Sequence, residues 1–517
     1  MPGGVGGTVP GRRNAGVEAL VASRWWPRVA VLVAGALPAL AFPEPSLDLL
    51  AWVALVPVLL LVHAARSASE AALRGWLAGV GFLAATQNWV APNLVFFFPL
   101  AVGVLALLWA AWAVLAHELL RAPISAPRAA GAVVVLPAGW VLVEVARSWQ
   151  WLGGPWSLLG ATQWQHPRVL ALASIGGVWL VGFAVVAANV GLTLLLVGGA
   201  GARWCGGVAV LVAVGAGPVA FATLPGPSAG PTVAVALVQP GLPTGDLLTE
   251  EERLTRAIGR PVDLVVWGES SVDADLDARP DVLGRLTALS REVGAPLLVN
   301  VDALDATGAV AKTAVLLDGD GVRATYRKNR LVPFGEYIPF RDQLGWLSRI
   351  TAAAGQNRRP GHELTTMDAA GLTLGPLISF EETFPDLARS QARGGADLLV
   401  YQSSTATFQG SWAPAQLASV GAVRAAETGR PVVAAALTGE SAGFDASGNR
   451  LGSMPADERG VLVLEVPTGA WDTPFDGFGN HLPVVATVVV LLGVGGAGMR
   501  RIRAFPDRCG PGQRSSS

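Results

Sequence analysis

The stretch 263–270, DLVVWGES, places a short apolar run directly before a glycine, a glutamate and a serine. Apolar runs rich in β-branched and aromatic residues, bounded by turn residues, predict buried strands. Strands that alternate with helices are typical of an α/β domain whose sheets are covered by helices. Similar strand-like runs lie at 232–238, 296–300, 313–317, 373–379, 397–402 and 432–437, and helical patterns lie at 249–260, 280–293 and 412–429.

Two further stretches run from an apolar strand into polar residues, where α/β folds tend to place their sites. They are 326–336, YRKNRLVPFGE, and 377–386, LISFEETFPD. Each polar residue has a simple structural explanation: Glu269 as a carboxylate at a helix N-terminus, Lys328 as a solvated charge, Ser379 as a core hydroxyl, and Glu381 with Glu382 as a capping pair. Together, however, a carboxylate, an amine and a hydroxyl supply a base, an oxyanion stabiliser and a nucleophile.

The first part of the chain has the composition of a membrane protein. Of the 517 residues, 52% are hydrophobic and 15% are charged, whereas soluble domains contain about 25% charged residues. Residues 1–231 contain only 17 of the 75 charged residues. A membrane helix needs about 20 predominantly apolar residues. We therefore predict about eight spans, at 28–43, 48–65, 75–91, 93–117, 130–147, 170–198, 205–224 and 482–499.

The arginines predict the orientation of these spans, because cytoplasmic loops carry an excess of Arg and Lys. With the N-terminus inside, the outer loops 44–47 and 92–93 contain no basic residue, and the outer loop 148–169 contains Arg168. The inner segments contain Arg12, Arg13, Arg24, Arg28, Arg66, Arg74, Arg121, Arg128, Arg203, Arg500, Arg501, Arg503, Arg508 and Arg514. We therefore expect both termini in the cytoplasm and residues 225–481 outside it.

The predicted outer loop 148–169 is rich in tryptophan. Trp149, Trp151, Trp156 and Trp164 surround a Gly-Gly-Pro sequence. Tryptophan is enriched at the headgroup level of membranes, so anchoring at the interface is the simpler interpretation. The sharper interpretation is a partly inserted lip that handles a lipid substrate.

Charge and cysteine content exclude several classes of protein. The net charge is −1, and no basic block precedes the extreme C-terminus, which argues against a nucleic-acid partner. The two cysteines, Cys205 and Cys509, cannot form a disulfide scaffold. No Cys-His cluster resembles a metal site, and we expect neither a metal nor a cofactor.

The changes in composition divide the chain into five segments. Residues 219–231 contain three prolines and are predicted to form the linker between the membrane region and the α/β domain. The segments are a cytoplasmic N-terminal tail at 1–27, a seven-span bundle at 28–224, an extracytoplasmic domain at 232–467, a final transmembrane helix at 482–499 and an Arg-rich cytoplasmic tail at 500–517.

The three strand-end stretches, in this order and spacing, resemble the Glu-Lys-Cys site of the carbon–nitrogen hydrolase (nitrilase) superfamily. Seven spans before such a domain and one after it are similar to its membrane branch, the apolipoprotein N-acyltransferases. The resemblance extends over about residues 25–500. Its most specific motif is LVPFGE at 331–336, and further matches are GPWSLLG at 154–160, ALVQP at 236–240 and RAAETGRP at 424–431.

This resemblance implies a multi-pass membrane bundle joined to an αββα sandwich on the outer face of the bacterial plasma membrane. It implies transfer of an acyl chain from a phospholipid to the enzyme, and then to the α-amine of a diacylglyceryl-modified N-terminal cysteine. Glu269 would be the general base, Lys328 would stabilise the oxyanion, and Glu336 and Glu381 would support them. The position of the nucleophile would be Ser379.

Two positions depart from the family pattern. The family has Cys and then Tyr where this chain has Ser379 and Phe380, and the family's Asn-Asp-x-Trp-Phe-Gly segment is here 404–409, STATFQ. Neither cysteine replaces the missing thiol, because Cys205 and Cys509 are both expected on the cytoplasmic side. A serine hydroxyl is a much weaker acid than a thiol, whose pKa is about 8.5, so Ser379 would depend more strongly on its base.

Three functions are therefore compatible with the sequence. The leading hypothesis is an apolipoprotein N-acyltransferase that uses Ser379. The second is a catalytically silent membrane relative that binds lipid or a partner enzyme. The third is a membrane-tethered amidase or nitrilase, which is disfavoured because hydrolysis of small soluble amides needs no lipid-facing bundle.

Overall fold

The computed structural model describes residues 25–304, 308–349, 355 and 357–503. Of the predicted tails at 1–27 and 500–517, residues 1–24 and 504–517, including Cys509, lie outside the described residues. The α-helices are α1 (Trp26–Ala36), α2 (Val56–His63), α3 (Ala68–Thr86), α4 (Ala91–Leu94), α5 (Phe97–Leu105), α6 (Leu107–Leu120), α7 (Ala126–Arg147), α8 (Pro167–Leu170), α9 (Ala173–Val197), α10 (Ala200–Thr223), α11 (Leu247–Arg256), α12 (Pro280–Val293), α13 (Arg341–Leu344), α14 (Pro385–Arg393), α15 (Ala413–Thr428), α16 (Pro474–Phe478) and α17 (His481–Arg503).

Within the described residues, four helical stretches are long and apolar enough to cross a membrane. They are Phe97–Leu120, Ala126–Arg147, Ala173–Val197 and Ala200–Thr223. The stretches Trp26–Ala41, Asp48–His63 and His481–Gly495 are apolar but shorter. The remaining predicted span overlaps α3, which carries Glu70 and Arg74. All eight predicted spans thus overlap helical segments, and eight membrane crossings stay a prediction.

The strands of the described residues form two six-stranded sheets with the same plan. The strands are β1 (Thr232–Gln239), β2 (Leu264–Trp267), β3 (Leu297–Leu304), β4 (Val310–Asp318), β5 (Gly321–Arg327), β6 (Met367–Ala369), β7 (Leu372–Ile378), β8 (Leu398–Ser403), β9 (Val432–Ala436), β10 (Ser441–Phe444), β11 (Arg450–Met454) and β12 (Gly460–Pro467). The first sheet has the order β12-β1-β2-β3-β4-β5 and the second β11-β10-β9-β8-β7-β6. Three parallel strands lie in each sheet, β1-β2-β3 and β7-β8-β9, and antiparallel strands flank them.

The two sheets pack face to face because their strands are buried on both sides. Along β1, Val235 and Leu237 belong to the apolar core that also contains the strands of the second sheet. The alternate residues Ala236 and Val238 pack with Leu254 of α11 and residues of α12. Helices α14 and α15 contact the second sheet. The domain is therefore the αββα sandwich that the sequence predicts.

The membrane region and the sandwich meet at a break in α9. Gly176 and Gly177 leave the helical conformation there, and φ of Gly177 is +69°. The freed N–H of Val178 donates to Glu427 Oε1 in α15 at 2.6 Å, and Glu427 also pairs with Arg424 Nη1 at 2.8 Å. This buried ion pair fixes the sandwich on the end of a long apolar helix.

The loop 148–158, within the predicted outer loop, also reaches the sandwich. A Cβ at Gly154 would lie 2.7 Å from Phe380 Cε2, so only glycine allows the loop to come this close. The end of the loop is fixed to α7, because Glu144 of this helix accepts hydrogen bonds from the N–H of Leu159 and from Trp140 Nε1. The residue that follows Ser379 is thus packed directly against the membrane region.

Candidate active site

Glu269 lies two residues after the end of β2 and is buried, with 3% of its surface exposed. No helix begins here: Ser270 has φ of +61° and turns the chain sharply. The N–H of Glu269 donates to the carbonyl of Ser403 at the end of β8. Its Oε1 accepts hydrogen bonds from two ammonium groups, Lys312 Nζ at 2.7 Å and Lys328 Nζ at 3.0 Å. The interpretation of Glu269 as a helix N-terminal carboxylate is therefore wrong.

Lys328 follows β5 and is 1% exposed, so it is not a solvated surface charge. Besides Glu269, its Nζ donates to Glu336 Oε1 at 3.0 Å. The other oxygen of Glu336 accepts the N–H of Val332 at 2.8 Å, which closes the loop after Lys328 on itself. The motif LVPFGE thus folds into a short loop that delivers a second carboxylate to the lysine.

Glu381 ties this loop to the end of β7. Its Oε1 accepts the N–H groups of Asn329 and Arg330, at 2.8 and 3.0 Å, and its Oε2 accepts the N–H of Ile378 at 3.0 Å. The hydroxyl of Tyr326 donates to the same carboxylate. One buried side chain therefore holds the residues next to Lys328 and the residue before Ser379 in one arrangement.

Ser379 is the first residue after β7 and opens a short 3₁₀ turn, Ser379–Thr383. Its φ is +53°, a left-handed conformation that a residue with a side chain rarely adopts. Such values occur mostly where the surrounding structure enforces them, and they cluster at functional sites. The residue is half-buried. Among the described residues, no side chain accepts a hydrogen bond from its hydroxyl.

The end of β8 connects Ser379 with Glu269. Ile378, which precedes Ser379, pairs with Gln402 across the second sheet. The next residue, Ser403, accepts the N–H of Glu269, and Gln402 Nε2 donates to the carbonyl of Trp267 at 2.9 Å. Gln402 and Ser403 at the end of β8 therefore connect the end of β2 in the first sheet with the end of β7 in the second sheet. Glu269, Lys328 and Glu336 are in direct contact, and Ser379 is connected to them through β8 and through Glu381.

Lys312 is the site residue that the sequence prediction missed. It lies in β4, whose predicted run began one residue later, at 313. Its Nζ contacts Glu269 at 2.7 Å, Ser270 Oγ at 3.0 Å and Asp302 Oδ2 at 3.6 Å. One signal was available: the 37 basic residues include only two lysines, and both bind the same carboxylate oxygen.

The charges of this cluster determine which groups are ionised. Burial alone would raise the pKa of Glu269, but the ammonium groups of Lys312 and Lys328 outweigh it and lower the pKa to about 2. Burial would likewise lower the pKa of Lys328, and the carboxylates of Glu269 and Glu336 raise it instead. The pair is therefore ionised at neutral pH, and Glu269 is a carboxylate of low basicity.

Two carboxyl groups next to Ser379 behave differently. Burial raises the pKa of Glu381 despite the backbone N–H groups that bind it. Burial also raises the pKa of Glu382 well above its ordinary value, and the negative charge of Glu269 adds to this effect. Glu382 Oε1 has no hydrogen-bond partner within the described part of the chain. Glu382 is therefore the carboxyl group that this part of the site favours in its neutral form, whereas both oxygens of Glu381 accept hydrogen bonds from backbone N–H groups.

The tryptophans of the outer loop have different environments. Trp149 and Trp151 are exposed and stacked, with ring centroids 5.8 Å apart. Trp156 packs edge-on against Trp89, which also contacts Phe408, at 4.8 and 4.9 Å between centroids. The exposed pair fits either anchoring at the interface or a lipid-handling lip. Trp89, which contacts both rings, joins the membrane region to the segment 404–409 of the sandwich.

Comparisons with known proteins match both parts of the chain. Residues 34–191 match the apolipoprotein N-acyltransferase N-terminal domain, and residues 233–473 match carbon-nitrogen hydrolase. An apolipoprotein N-acyltransferase of Geobacter metallireducens is 30% identical over 87% of this chain and 91% of its own length. One of Azotobacter vinelandii is 29% identical over 95% and 98%. An amidase structure from Nesterenkonia sp. aligns with 47% of this chain and 93% of its own, at 20% identity and a TM-score of 0.34.

Proposed function

This chain belongs to the apolipoprotein N-acyltransferase family, and we propose that it acylates lipoproteins through a covalent intermediate on Ser379. The acyl donor is a phospholipid, and the acceptor is the α-amine of a diacylglyceryl-modified N-terminal cysteine. Glu269 acts as the general base, Lys328 stabilises the oxyanion, and Glu336 and Glu381 hold these groups. The reaction follows a ping-pong course.

In the first step, Ser379 Oγ attacks the ester carbonyl of the phospholipid, and its proton passes to Glu269. The carbonyl oxygen becomes an oxyanion, which the ammonium of Lys328 stabilises electrostatically. When the tetrahedral intermediate collapses, the ester C–O bond breaks. Glu269 returns the proton to the departing lysophospholipid alcohol. The products are an acyl ester on Ser379 and a lysophospholipid.

In the second step, the α-amine of the lipoprotein attacks the acyl ester. Glu269 accepts a proton from the attacking nitrogen and gives it to Ser379 Oγ as the ester bond breaks. An amide forms and the serine is restored, so the atoms and charges balance over the cycle. No metal or redox group takes part in either step.

The observation that carries this proposal is the buried Glu269–Lys328 pair, which lies at strand ends connected through β8 to Ser379. Burying two charges is costly unless close pairing and further hydrogen bonds offset the desolvation, and perturbed carboxylates and amines cluster at functional sites. The left-handed φ of Ser379 adds a second feature that is typical of such sites.

The setting in the membrane completes the proposal. The bundle at 28–224 and the final helix at 482–499 cross the plasma membrane about eight times, and the domain at 232–467 lies on the extracytoplasmic side. Phospholipid then reaches the site from the outer leaflet, along the loop that carries Trp149 and Trp151. Both are exposed and apolar, as a lip in contact with lipid requires.

A second function is favoured by two specific observations. Burial would raise the pKa of Glu269, but the two lysines lower it to about 2. Glu269 is therefore a weak base for a hydroxyl, because general bases work best with a pKa near the operating pH. The segment 404–409 also has Thr407 in place of the family's tryptophan. Both features fit a catalytically silent relative that binds lipid or a partner enzyme.

The experiment that separates the two functions is an acylation assay with purified protein. The wild type is incubated with phospholipid vesicles and a peptide that carries an N-terminal diacylglyceryl-cysteine, and the N-acylated peptide is measured by mass spectrometry. Ser379→Ala is the matched control. N-acylated peptide with the wild type and none with the control supports the enzyme. Equal, background levels in both indicate the silent relative.

A further inference from the structure

Lys312 contributes a second ammonium group to the site, from a different strand than Lys328. It lies in β4, is 9% exposed, and its Nζ is 2.7 Å from Glu269 Oε1. The same Nζ is 3.8 Å from Glu336 Oε1. Lys328 Nζ is 3.0 Å from each of these two oxygens. The two lysines and two glutamates therefore form one compact cluster of alternating charge.

Lys312 is itself held in place by neighbouring charges. In the β3–β4 ladder it lies opposite Asp302, whose Oδ2 is 3.6 Å from its Nζ. Asp302 in turn pairs with Arg358 and accepts a hydrogen bond from Ser270 Oγ at 2.9 Å. The lysine stem has little freedom under these contacts, so its ammonium stays directed at the Glu269 carboxylate.

We propose that Lys312 is a positioning residue of the acyl-transfer site, which fixes the Glu269 carboxylate in one orientation and keeps it ionised. This inference rests on the proposed function for its catalytic meaning, although the electrostatic role itself requires no turnover. Lys328 can then direct the other N–H groups of its ammonium to Glu336 and to the oxyanion. A site with a single lysine would need that lysine for both tasks.

The balance of charges supports this division of work. An opposite charge within about 4–6 Å shifts a carboxyl pKa by roughly 1 to 3 units. Burial opposes the ionisation of Glu269, and among the ion pairs that overcome it, Lys312 contributes ahead of Lys328. The titratable and charged groups that surround the Glu269–Lys312 pair are Asp302 on β3, Lys328 and Glu336 after β5, Arg358, and Glu381 and Glu382 after β7.

The first test measures the protonation of Glu269 without catalysis. Infrared spectra of the purified full-length protein are recorded between pH 4 and pH 8, and a band of protonated carboxyl that emerges in Lys312→Gln is assigned to Glu269 by its absence in the double variant Lys312→Gln/Glu269→Gln. We expect no such band in the wild type over this range. In Lys312→Gln the band should emerge in the acidic part of the range, since the pKa rises by roughly 1 to 3 units.

The conservative variant Lys312→Arg is the matched control, because it keeps the charge. It should behave like the wild type. An identical titration of Glu269 in the wild type and in Lys312→Gln would overturn the proposal. Thermal unfolding shows whether a variant has lost its structure. If Lys312→Gln has, the test depends on Lys312→Arg: a band of protonated Glu269 in this charged variant would also overturn the proposal.

The second test is the pH profile of acyl transfer. We expect Lys312→Gln to gain an acid limb below about pH 5 that the wild type and Lys312→Arg lack, with kcat reduced up to about tenfold at pH 4 and KM changed less than twofold. A uniform loss at every pH would mean a purely structural role and contradict the proposal. If no variant and no wild type transfers acyl groups, the proposed function fails, while the infrared result still decides the role of Lys312.

Discussion

Replacing Glu381 with glutamine should loosen the connection between the Lys328 loop and the end of β7. The two oxygens of Glu381 accept the N–H groups of Asn329, Arg330 and Ile378, in addition to the hydroxyl of Tyr326. A glutamine places an NH₂ group where one of these oxygens accepted. At least one buried N–H then faces another donor and loses its partner.

The cost follows from the number of lost hydrogen bonds. A buried donor left without its partner costs about 1 to 3 kcal/mol, so we expect a loss of about 2 kcal/mol. For a domain of 150–250 residues, each kcal/mol lowers Tm by roughly 2 to 4 °C. Glu381→Gln should therefore lower Tm by roughly 4 to 8 °C, and acyl transfer should fall because Lys328 and Ser379 no longer keep their relative positions.

The assay is thermal unfolding in detergent, followed by intrinsic tryptophan fluorescence, with Glu382→Gln as the adjacent control. Glu382 is equally buried, but its Oε1 has no partner in the described structure, and burial raises its pKa well above the ordinary value. Glutamine therefore resembles the neutral acid, and we expect Tm to change by less than about 2 °C. Equal shifts for the two variants would refute the reasoning.

Other predictions concern the ion pair, its pH dependence and the topology. Glu269→Gln and Lys328→Ala should each abolish acyl transfer while the protein stays folded, and full activity in either variant in the acylation assay would exclude this mechanism. Burial opposes but does not prevent the lowering of the Glu269 pKa by Lys312 and Lys328, from 4.5 to about 2. The contribution of the ion pair to the free energy of unfolding should therefore be complete above about pH 4.5 and decrease as the pH falls toward 2. The difference in Tm between the wild type and Glu269→Gln measures this contribution at each pH. A cysteine introduced at Thr249 should react with an impermeant probe in intact cells, whereas labelling only after permeabilisation would invert the topology.

Much of the sandwich was predictable from local sequence. The strand-like runs all became strands, and the pattern at 280–293 matches α12, Pro280–Val293. The strands β5, β6, β10, β11 and β12 were not predicted. β5 and β11 are short and partly exposed, with sequences GVRATYR and RLGSM, so an apolar run does not mark them. These strands form because they pair with neighbouring strands in the sheet, and this pairing depends on the whole sheet and not on the local sequence.

The candidate site was predictable where a motif carried it and not where tertiary contacts made it. The strand-end positions of Glu269 and Ser379 follow from the change of apolar to polar residues along their stretches, whereas Lys328 follows β5, which no apolar run marks. The partnership of Lys312 with Glu269 depends on the pairing of β2, β3 and β4, which brings residues 43 positions apart within 2.7 Å. The low pKa of Glu269 follows from that contact and has no signature in the sequence.

The replacement of a cysteine by Ser379 sets the expected rate. A serine ester is less reactive toward an amine than a thioester, and a hydroxyl must lose its proton during the attack. In Ser379→Cys, the ammonium groups nearby already favour a thiolate. We therefore expect faster formation of the acyl-enzyme in that variant, provided that Phe380 and Thr407 leave the lipid correctly positioned, since a displacement of about 1 Å costs roughly 10²-fold.

The central claim, a covalent acyl intermediate on Ser379, is tested most directly by mass spectrometry of the intact and proteolysed protein after incubation with phospholipid alone. Without an acceptor amine, the intermediate should accumulate. The account predicts an acyl adduct on the peptide that contains Ser379 in the wild type and no adduct in Ser379→Ala. In Ser379→Cys, a greater fraction of this peptide should carry the adduct. No adduct on either the wild type or Ser379→Cys would contradict it, and the chain would then be a lipid-binding or partner-binding relative without catalytic activity.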